Sequence, residues 1–427
     1  MTPPRRALIV GGGPAGASTA FWLAKAGFEV LVAERSAKEK FAYGQGVDIT
    51  GAAIKVMRKM ALEQVVRSST TGEEGFAMVD DEGATTGAVG AQSAEGGEAS
   101  LTKEIEIQRG EISKILAETA VERWSNVTYR YDCSISEIRQ TGCIVKTVLS
   151  DSGKEEEFDY VIGADGLGSK TRKLAFDDAA IKDCYKPQDV YVAFFSIPGD
   201  PEIDLPNARI QQAAGGRNVV LRPTDGKAER TSCYMTIVSQ NAQLEKIAAE
   251  GTPEEQKDLW IELFSDLGGL APRALDGLKD AEDLYCTRIV QVKLDNWHNG
   301  RCVLVGDAAY APSPLTGEGT TLALVGAYVL AGELAANPEN PQTAFTRYRE
   351  VLKDFVAKSQ AIPLGGMAPK LVNPQTTVGV LTLRAIFSVI SHTGVWKLFG
   401  GSEDKRDEFD LPPYEFERTG RTSDVST

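Results

Sequence analysis

Residues 7–16 read ALIVGGGPAG, and an acid, Glu34, follows at the end of the next apolar run, FEVLVAER. Ala7, Leu8, Ile9 and Val10 suit a buried strand that stops at Gly11, where the turn must tighten. Gly13 lets backbone N–H groups approach a pyrophosphate, and Gly16 lets the following helix pack closely on the strand. Phosphates then rest on a helix N-terminus. The helix runs from Pro14 to about Ala26, Gly27 ends it, and FEVLVAER forms a second strand. Its last residues, Glu34 and Arg35, stand at the spacing of a ribose contact. This is a βαβ unit for an adenine dinucleotide.

Two later stretches decide which one. EFDYVIGADGLGSKTRK (157–173) carries Asp159, Gly163, Ala164, Asp165, Gly166, Ser169 and Arg172; RCVLVGDAAYAPSPLTGEGTTLALVGAYVLAGEL (301–334) follows far downstream. The latter reads as a strand ending at Gly306, then Asp307, a Pro-rich loop, and Gly317 and Gly319 before a long apolar helix. Asp307 at the strand end can accept hydrogen bonds from a polyol, and the helix start at Thr320 offers N–H groups to phosphate or a pyrimidine carbonyl. In this order and separation the three motifs resemble those of class A FAD-dependent monooxygenases, the p-hydroxybenzoate hydroxylase-like family, nearest the tetracycline-inactivating branch. The resemblance spans nearly the whole chain. GQGVDITGAAIKVMRKMAL (44–62) is similar to the branch's segment after the first βαβ unit, and EIEIQRGEISKIL (104–116) to its strand-then-Arg-helix element.

The resemblance implies an α/β fold, with a Rossmann-like FAD-binding domain of the glutathione-reductase type interleaved with an antiparallel β-sheet substrate domain, plus a C-terminal helix. It implies non-covalent FAD held by Gly11, Gly13, Ala15, Gly16, Glu34, Arg35, Asp165, Asp307, Pro314, Gly317, Gly319 and Thr320, with Asp48 and Arg109 as further contacts. Gly46 and Val47 would present backbone to the ribityl or isoalloxazine region. Asp48 has a second reading, as the cap of a helix starting near Thr50. For Arg109 a solvated helix-start role is disfavoured, because a cation there opposes the helix dipole. NADPH or NADH would reduce a mobile flavin, O2 would form a C4a-hydroperoxide, and an electron-rich aromatic or enolic carbon would attack it. The loop Pro312–Gly319 would limit water at the flavin edge. The implied substrate is a small aromatic, indole-like or polyketide secondary metabolite that is hydroxylated, epoxidised or oxidatively rearranged. A dehydrogenase or reductase on the same fold, without oxygen insertion, is the competing reading. The motifs depart from the family pattern at Tyr310 (usually His), Glu318 (usually Gln, here expected to face solvent or a cation) and Thr320. Lys40 and Phe41 stand where the branch carries an Arg.

Composition agrees. A chain of 427 residues fits a cofactor domain plus a substrate domain. A net charge of −14 argues against nucleic acid or an anionic membrane as partner. The six cysteines, Cys133, Cys143, Cys184, Cys233, Cys286 and Cys302, form no CxxC and read as reduced. His298 and His392 are the only histidines, too few for a metal centre or a Ser-His-Asp triad. MTPPRR runs straight into the first strand, so no signal peptide and a cytoplasmic location are expected.

The expected domains are interleaved: 1–72, 104–182 and 285–360 bind FAD, 73–103 and 183–284 form the substrate layer, and 361–427 is a C-terminal helix and tail. GFAMVDDEG and GAVGAQSAEGG read as a hairpin and long loop. A helix is expected over 113–124, NVTYRYDC and CIVKTVLSD as strands, and a helical stretch over Pro253–Leu270. VYVAFFSIP, NVVLRP and TSCYMTIVS alternate as antiparallel strands do, and CTRIVQVKL resumes the cofactor domain. Phe194, Phe195, Tyr234 and Met235 are pocket-wall or sheet-core candidates, and alternation does not say which face meets the cofactor. Arg222 and Gln211 can orient a phenolate or carbonyl, or be solvated. The apolar stretch within 361–400 is broken by Arg384, His392 and Lys397, so it reads as an amphipathic helix packed on the cofactor domain or pocket mouth, not a membrane span. From Gly401 the tail is polar apart from LPPYEF and is expected to end in disorder.

Overall fold

The structure is a computed structural model that describes residues 4–41, 44–90, 105–393 and 409–416. Strand β1 (Arg6–Val10) leads through helix α1 (Pro14–Lys25) to β2 (Glu29–Ala33), which pairs parallel with β1 in the register Ala7 to Val30. On the other side of β1 lies Tyr160–Gly163, then Cys302–Leu304, while Val127–Arg130 extends the sheet beyond β2. Residues 7–10 and 30–33, Tyr160–Gly163 and Cys302–Leu304 are apolar and buried, as a parallel sheet covered on both faces requires. Strand order reverses beside β1, between a first-motif strand and a second-motif strand, and such a switch point opens a crevice at the strands' carboxyl ends. Gly11 sits there.

The helix Gly319–Ala336 packs against α1 and against Pro341–Ser359. Among the described residues it is long and apolar enough to cross a membrane, yet 83% of it is buried inside the fold, so it is a core helix. LPPYEF closes over it: the Tyr328 hydroxyl donates to Pro412 O (2.6 Å), the Tyr414 hydroxyl donates to Glu333 Oε1 (2.8 Å), and Phe416 stacks 4.6 Å from Trp22. The tail therefore docks through 409–416, and the disorder expected at the chain end falls outside the described residues.

The second layer is a seven-stranded sheet in the order Tyr285–Val292, Tyr185–Pro198, Arg230–Val238, Arg217–Pro223, Asn207–Ala213, Gly75–Val79, Thr85–Gly90. It departs from the expected layout twice. Tyr285–Val292, assigned from sequence to the cofactor domain, pairs antiparallel with Tyr185–Pro198 at the sheet edge. Asn207–Ala213 and Gly75–Val79 pair parallel, because the latter arrives as a separate excursion from the cofactor domain and not through a hairpin. The hairpin Gly75–Val79/Thr85–Gly90 forms as expected, and the rest of that loop, 91–104, lies outside the described residues.

Ala242–Glu250, Pro253–Phe264 and Ala271–Asp280 cover one face of this sheet. The single helix expected over Pro253–Leu270 is broken near Gly268 and Gly269, the latter with φ +61°. The helix expected over 113–124 begins earlier and runs Arg109–Arg123. The C-terminal helix Thr377–Thr393 packs on the substrate sheet, not on the cofactor domain. Ser391 Oγ donates to Ala88 O (2.8 Å) and accepts from Ala88 N (3.0 Å), covering an otherwise open sheet edge. Arg384 holds Asp81 (2.7 Å) and Gln212 O (2.8 Å).

Candidate active site

The first motif is shaped by close approaches. Gly11 has φ +98°, and a side chain at Gly16 would place Cβ 1.9 Å from Gly11 O, so α1 seats directly on the turn. Gly13 caps α1 without a side-chain bond, and the first turn of α1 holds no acid. Its N–H groups therefore face an anion site with the dipole in favour. Ala15 and Gly16 are buried in that first turn. Glu34 is 8% exposed and fixed at the lip: Oε2 accepts from Gly12 N (2.7 Å) and Oε1 from Ser36 N (2.7 Å). Arg35 is exposed. Phe41 lies over Gly12, where a Cβ would sit 2.9 Å from its ring, and meets Tyr131 edge to face at 5.6 Å.

Two charged side chains converge on this turn. Arg109 opens its helix, its N–H donates to Gln45 O (2.9 Å), and Nη2 lies 3.3 Å from where a Gly13 Cβ would be. Asp307 follows Gly306 (φ +65°); burial pushes its carboxyl up and the Arg109 charge pulls it down. The arrangement fits FAD. The α1 N-terminus and Arg109 supply positive potential for a diphosphate, the bare Gly13 leaves room for it, and Asp307 can accept from hydroxyls.

Asp165 differs from the expected cofactor contact. Its oxygens accept from the Ser169 hydroxyl, from Thr171 N (2.8 Å) and from Thr171 Oγ1 (3.0 Å), so its carboxylate braces its own turn. Its backbone packs against Gly11 of the first motif. Arg172, 1% exposed, joins the second motif to the third by donating to Leu167 O and Ala308 O, each at 2.7 Å.

In the third motif Ser313 holds φ +87° while 4% exposed, followed by the turn Pro314–Thr316 and Gly317 (φ +69°). Strain of this kind persists where the surroundings over-determine it. Gln291 does so here, with Nε2 donating to Pro312 O (2.8 Å) and Gln360 O (2.7 Å). Gly319 opens the core helix and Thr320 is buried in its first turn. Of the two places expected for Glu318, solvent or a cation, the structure excludes solvent. The residue is 6% exposed at the cap of that helix, where the dipole favours a carboxylate. Tyr310, in the place of the usual His, turns into the core: its hydroxyl meets that of Tyr348 at 2.8 Å, in space left by Gly326.

Helix cover settles the faces of the substrate sheet. Phe195 and Met235 lie under the helices as core, while Phe194 and Tyr234 share the open face, 5.0 Å apart edge to face. Gln211 is structural, accepting from Leu270 N (2.8 Å). Arg222 lies 5.7 Å over the Phe76 ring and pairs with Glu73 and Glu106. The Tyr234 hydroxyl accepts from Gly46 N at 3.2 Å, joining this face to the strand Gly46–Ile49. Val47 lies partly buried against the cofactor-domain core in that strand. Asp48 is not a helix cap, since Thr50 takes that position; it stands opposite Glu106 in the ladder with Ile105–Gln108. Glu73 and Glu106 were not anticipated; the alternation of EIEIQ marks Glu106 only as a polar strand position.

Residues 5–356 match the family described as FAD binding domain. The chain is 51% identical over 415 residues to monooxygenase CTB7 of Cercospora beticola, covering 96% of this chain and 98% of that protein. It is 32% identical to flavin-dependent monooxygenase eupH of a Phoma species, covering 96% and 97%. The crystal structure of tetracycline destructase Tet(51) superposes with a TM-score of 0.75 at 30% identity, covering 97% of this chain and all of that one. With three cofactor motifs meeting at one crevice beneath an open sheet face, the chain belongs to the FAD-binding class A flavoprotein monooxygenases.

Proposed function

We propose that the enzyme uses NADPH or NADH and O2 to hydroxylate, epoxidise or oxidatively rearrange an aromatic or enolic small molecule of secondary metabolism, acting in the cytoplasm. One observation carries this reading: the Tyr234–Gly46 hydrogen bond of 3.2 Å holds the aromatic face of the substrate sheet against strand Gly46–Ile49, which pairs with the strand leading to Arg109. FAD supplies the redox chemistry when bound, taking reducing equivalents from the nicotinamide and activating oxygen. The chain's own residues do the rest. The α1 N-terminus, Arg109 and Asp307 hold the cofactor. Phe194, Tyr234 and Phe76 form an apolar wall for a planar substrate, and the loop pinned by Gln291 limits water at the reacting edge. Fungal relatives named as monooxygenases support the assignment to secondary metabolism.

The test is turnover of purified, FAD-loaded protein with each nicotinamide and a panel of hydroxyarenes under isotopically labelled O2. Labelled oxygen in the product is expected. Substrate-dependent nicotinamide oxidation that proceeds without O2 and leaves no label would overturn the reading in favour of a dehydrogenase or reductase.

A further inference from the structure

The described residues leave fourteen large apolar side chains exposed, and eight of them fall between Leu364 and Val389. Four lie in the chain that leads into the helix Thr377–Thr393, and four, Val378, Leu381, Ile386 and Val389, on the helix itself, each more than half open. Together the eight present on the order of 800 Å², which is about what one partner contributes to a stable protein–protein interface. A monomer seldom leaves so concentrated an apolar surface to water.

The helix has two distinct faces. Its single Lys, Arg, Asp or Glu is Arg384, which turns inward to Asp81 and Gln212 O, and Ser391 is spent on Ala88 in the strand Thr85–Gly90. Outward, Val378, Thr382, Ala385 and Val389 recur at helical spacing and align in one stripe, with Leu381 and Ile386 at its sides. No acid, Lys or Arg is exposed on this face. Helices that lie on lipid pair their apolar face with exposed Lys and Arg, and this one offers neither, in a chain of net charge −14. The order of residues points to another partner. Read backwards, the stripe repeats itself: Val378 matches Val389, Leu381 matches Ile386, and Thr382 matches Ala385. A two-fold axis brings residue i of one copy to j of the other and j to i, so an interface between identical chains needs a patch of this kind. The small pair Thr382 and Ala385 falls at the axis, where small side chains let two helices approach to about 8 Å.

We propose that the outward face of Thr377–Thr393 is a dimer interface, in which the helices of two copies of this chain pair antiparallel about a two-fold axis between Thr382 and Ala385. Each helix is already anchored to its own sheet through Arg384 and Ser391, so the pairing joins the substrate layers of two enzymes.

The experiment is sedimentation velocity of FAD-loaded full-length protein across the micromolar range, where a species of twice 45.9 kDa is expected. Val378→Glu and Val389→Lys each set an unpaired charge against an opposite valine, twice per dimer, and each should raise the dimer Kd at least about tenfold. The double variant Val378→Glu/Val389→Lys should restore the dimer, because each introduced carboxylate then meets an introduced ammonium across the axis. Within one helix the two positions lie about 16 Å apart, so this rescue does not arise inside a single copy. Wild type that stays monomeric overturns the proposal, whether the face then binds vesicles of neutral lipid or is covered within the chain, and so does a dimer that survives both single substitutions. A double variant that loads FAD yet stays monomeric overturns the antiparallel pairing. If a single variant fails to load FAD, Leu381→Glu and Ile386→Lys, alone and together, put the same question to the flanking pair.

Discussion

Removing the Arg109 guanidinium tests the cofactor site where it is built from three separate segments. Nη2 lies 3.3 Å from the position of a Gly13 Cβ, and its charge lowers the Asp307 carboxyl that burial raises. A charge-assisted contact to a diphosphate contributes about 1.5–3 kcal/mol, or about 10- to 150-fold in Kd. The guanidinium is exposed in the free protein, so screening puts Arg109→Ala toward the lower end at physiological salt. Asp307 loses its nearby cation in the same variant and is protonated at higher pH. The two sites are therefore coupled, and a double-mutant cycle with Asp307→Ala should depart from additivity by about 0.5 kcal/mol or more. FAD titration of apoprotein by flavin fluorescence measures each affinity. Excess FAD should then restore most of the turnover with little change in substrate KM. A loss in FAD affinity below about threefold, or a fully FAD-loaded variant with a large selective rise in KM, would refute the assignment of Arg109 to the diphosphate.

Gly16→Ala places Cβ 1.9 Å from Gly11 O, so α1 must shift; a cost of about 1–3 kcal/mol should appear as a lower Tm together with weakened FAD binding. Neighbouring phenylalanines should behave oppositely: Phe195→Ala, in the helix-covered core, should cost about 3–5 kcal/mol in chemical unfolding, whereas Phe194→Ala should mainly raise substrate KM. The hydrogen bond from Arg384 holds the Asp81 carboxyl below its usual value, so the contribution of the pair is present above the unfolded-state value and lost as pH falls through the lower folded one. Limited proteolysis should accordingly find Thr377–Thr393 docked in mild acid and released in stronger acid, and released at neutral pH in Arg384→Ala.

The βαβ unit was legible because local sterics dictate its residue types. Gly16 tolerates no Cβ beside Gly11 O, and a parallel strand covered on both faces must be apolar throughout. Sheet membership is a different kind of information. CTRIVQVKL shows that a strand exists, but its partner, Tyr185–Pro198, lies about a hundred residues earlier in the chain, and alternation says nothing of which sheet it joins. Parity along VYVAFFSIP likewise separates Phe194 from Phe195 without saying which faces the cofactor. That depends on the helices between Ala242 and Asp280 covering one side. Only then are Phe194 and Tyr234 placed together on the open face, where the proposed pocket wall needs them.

The polar half of the site was hidden for a related reason. Arg222 and Glu73 are 149 residues apart, and each taken alone is an ordinary exposed charge on a strand or loop. Glu106 sits in an alternating run whose polar positions normally meet water, and the residue facing it, Asp48, was read for the cofactor. Arg222 reaches Glu106 from the other layer and is shared between Glu73 and Glu106. The net charge of −14 is a property of the whole chain and carries no information about such local pairing. The Arg222 cluster is local instead, and its members meet only because the fold brings the substrate sheet against the ladder of Gly46–Ile49 with Ile105–Gln108.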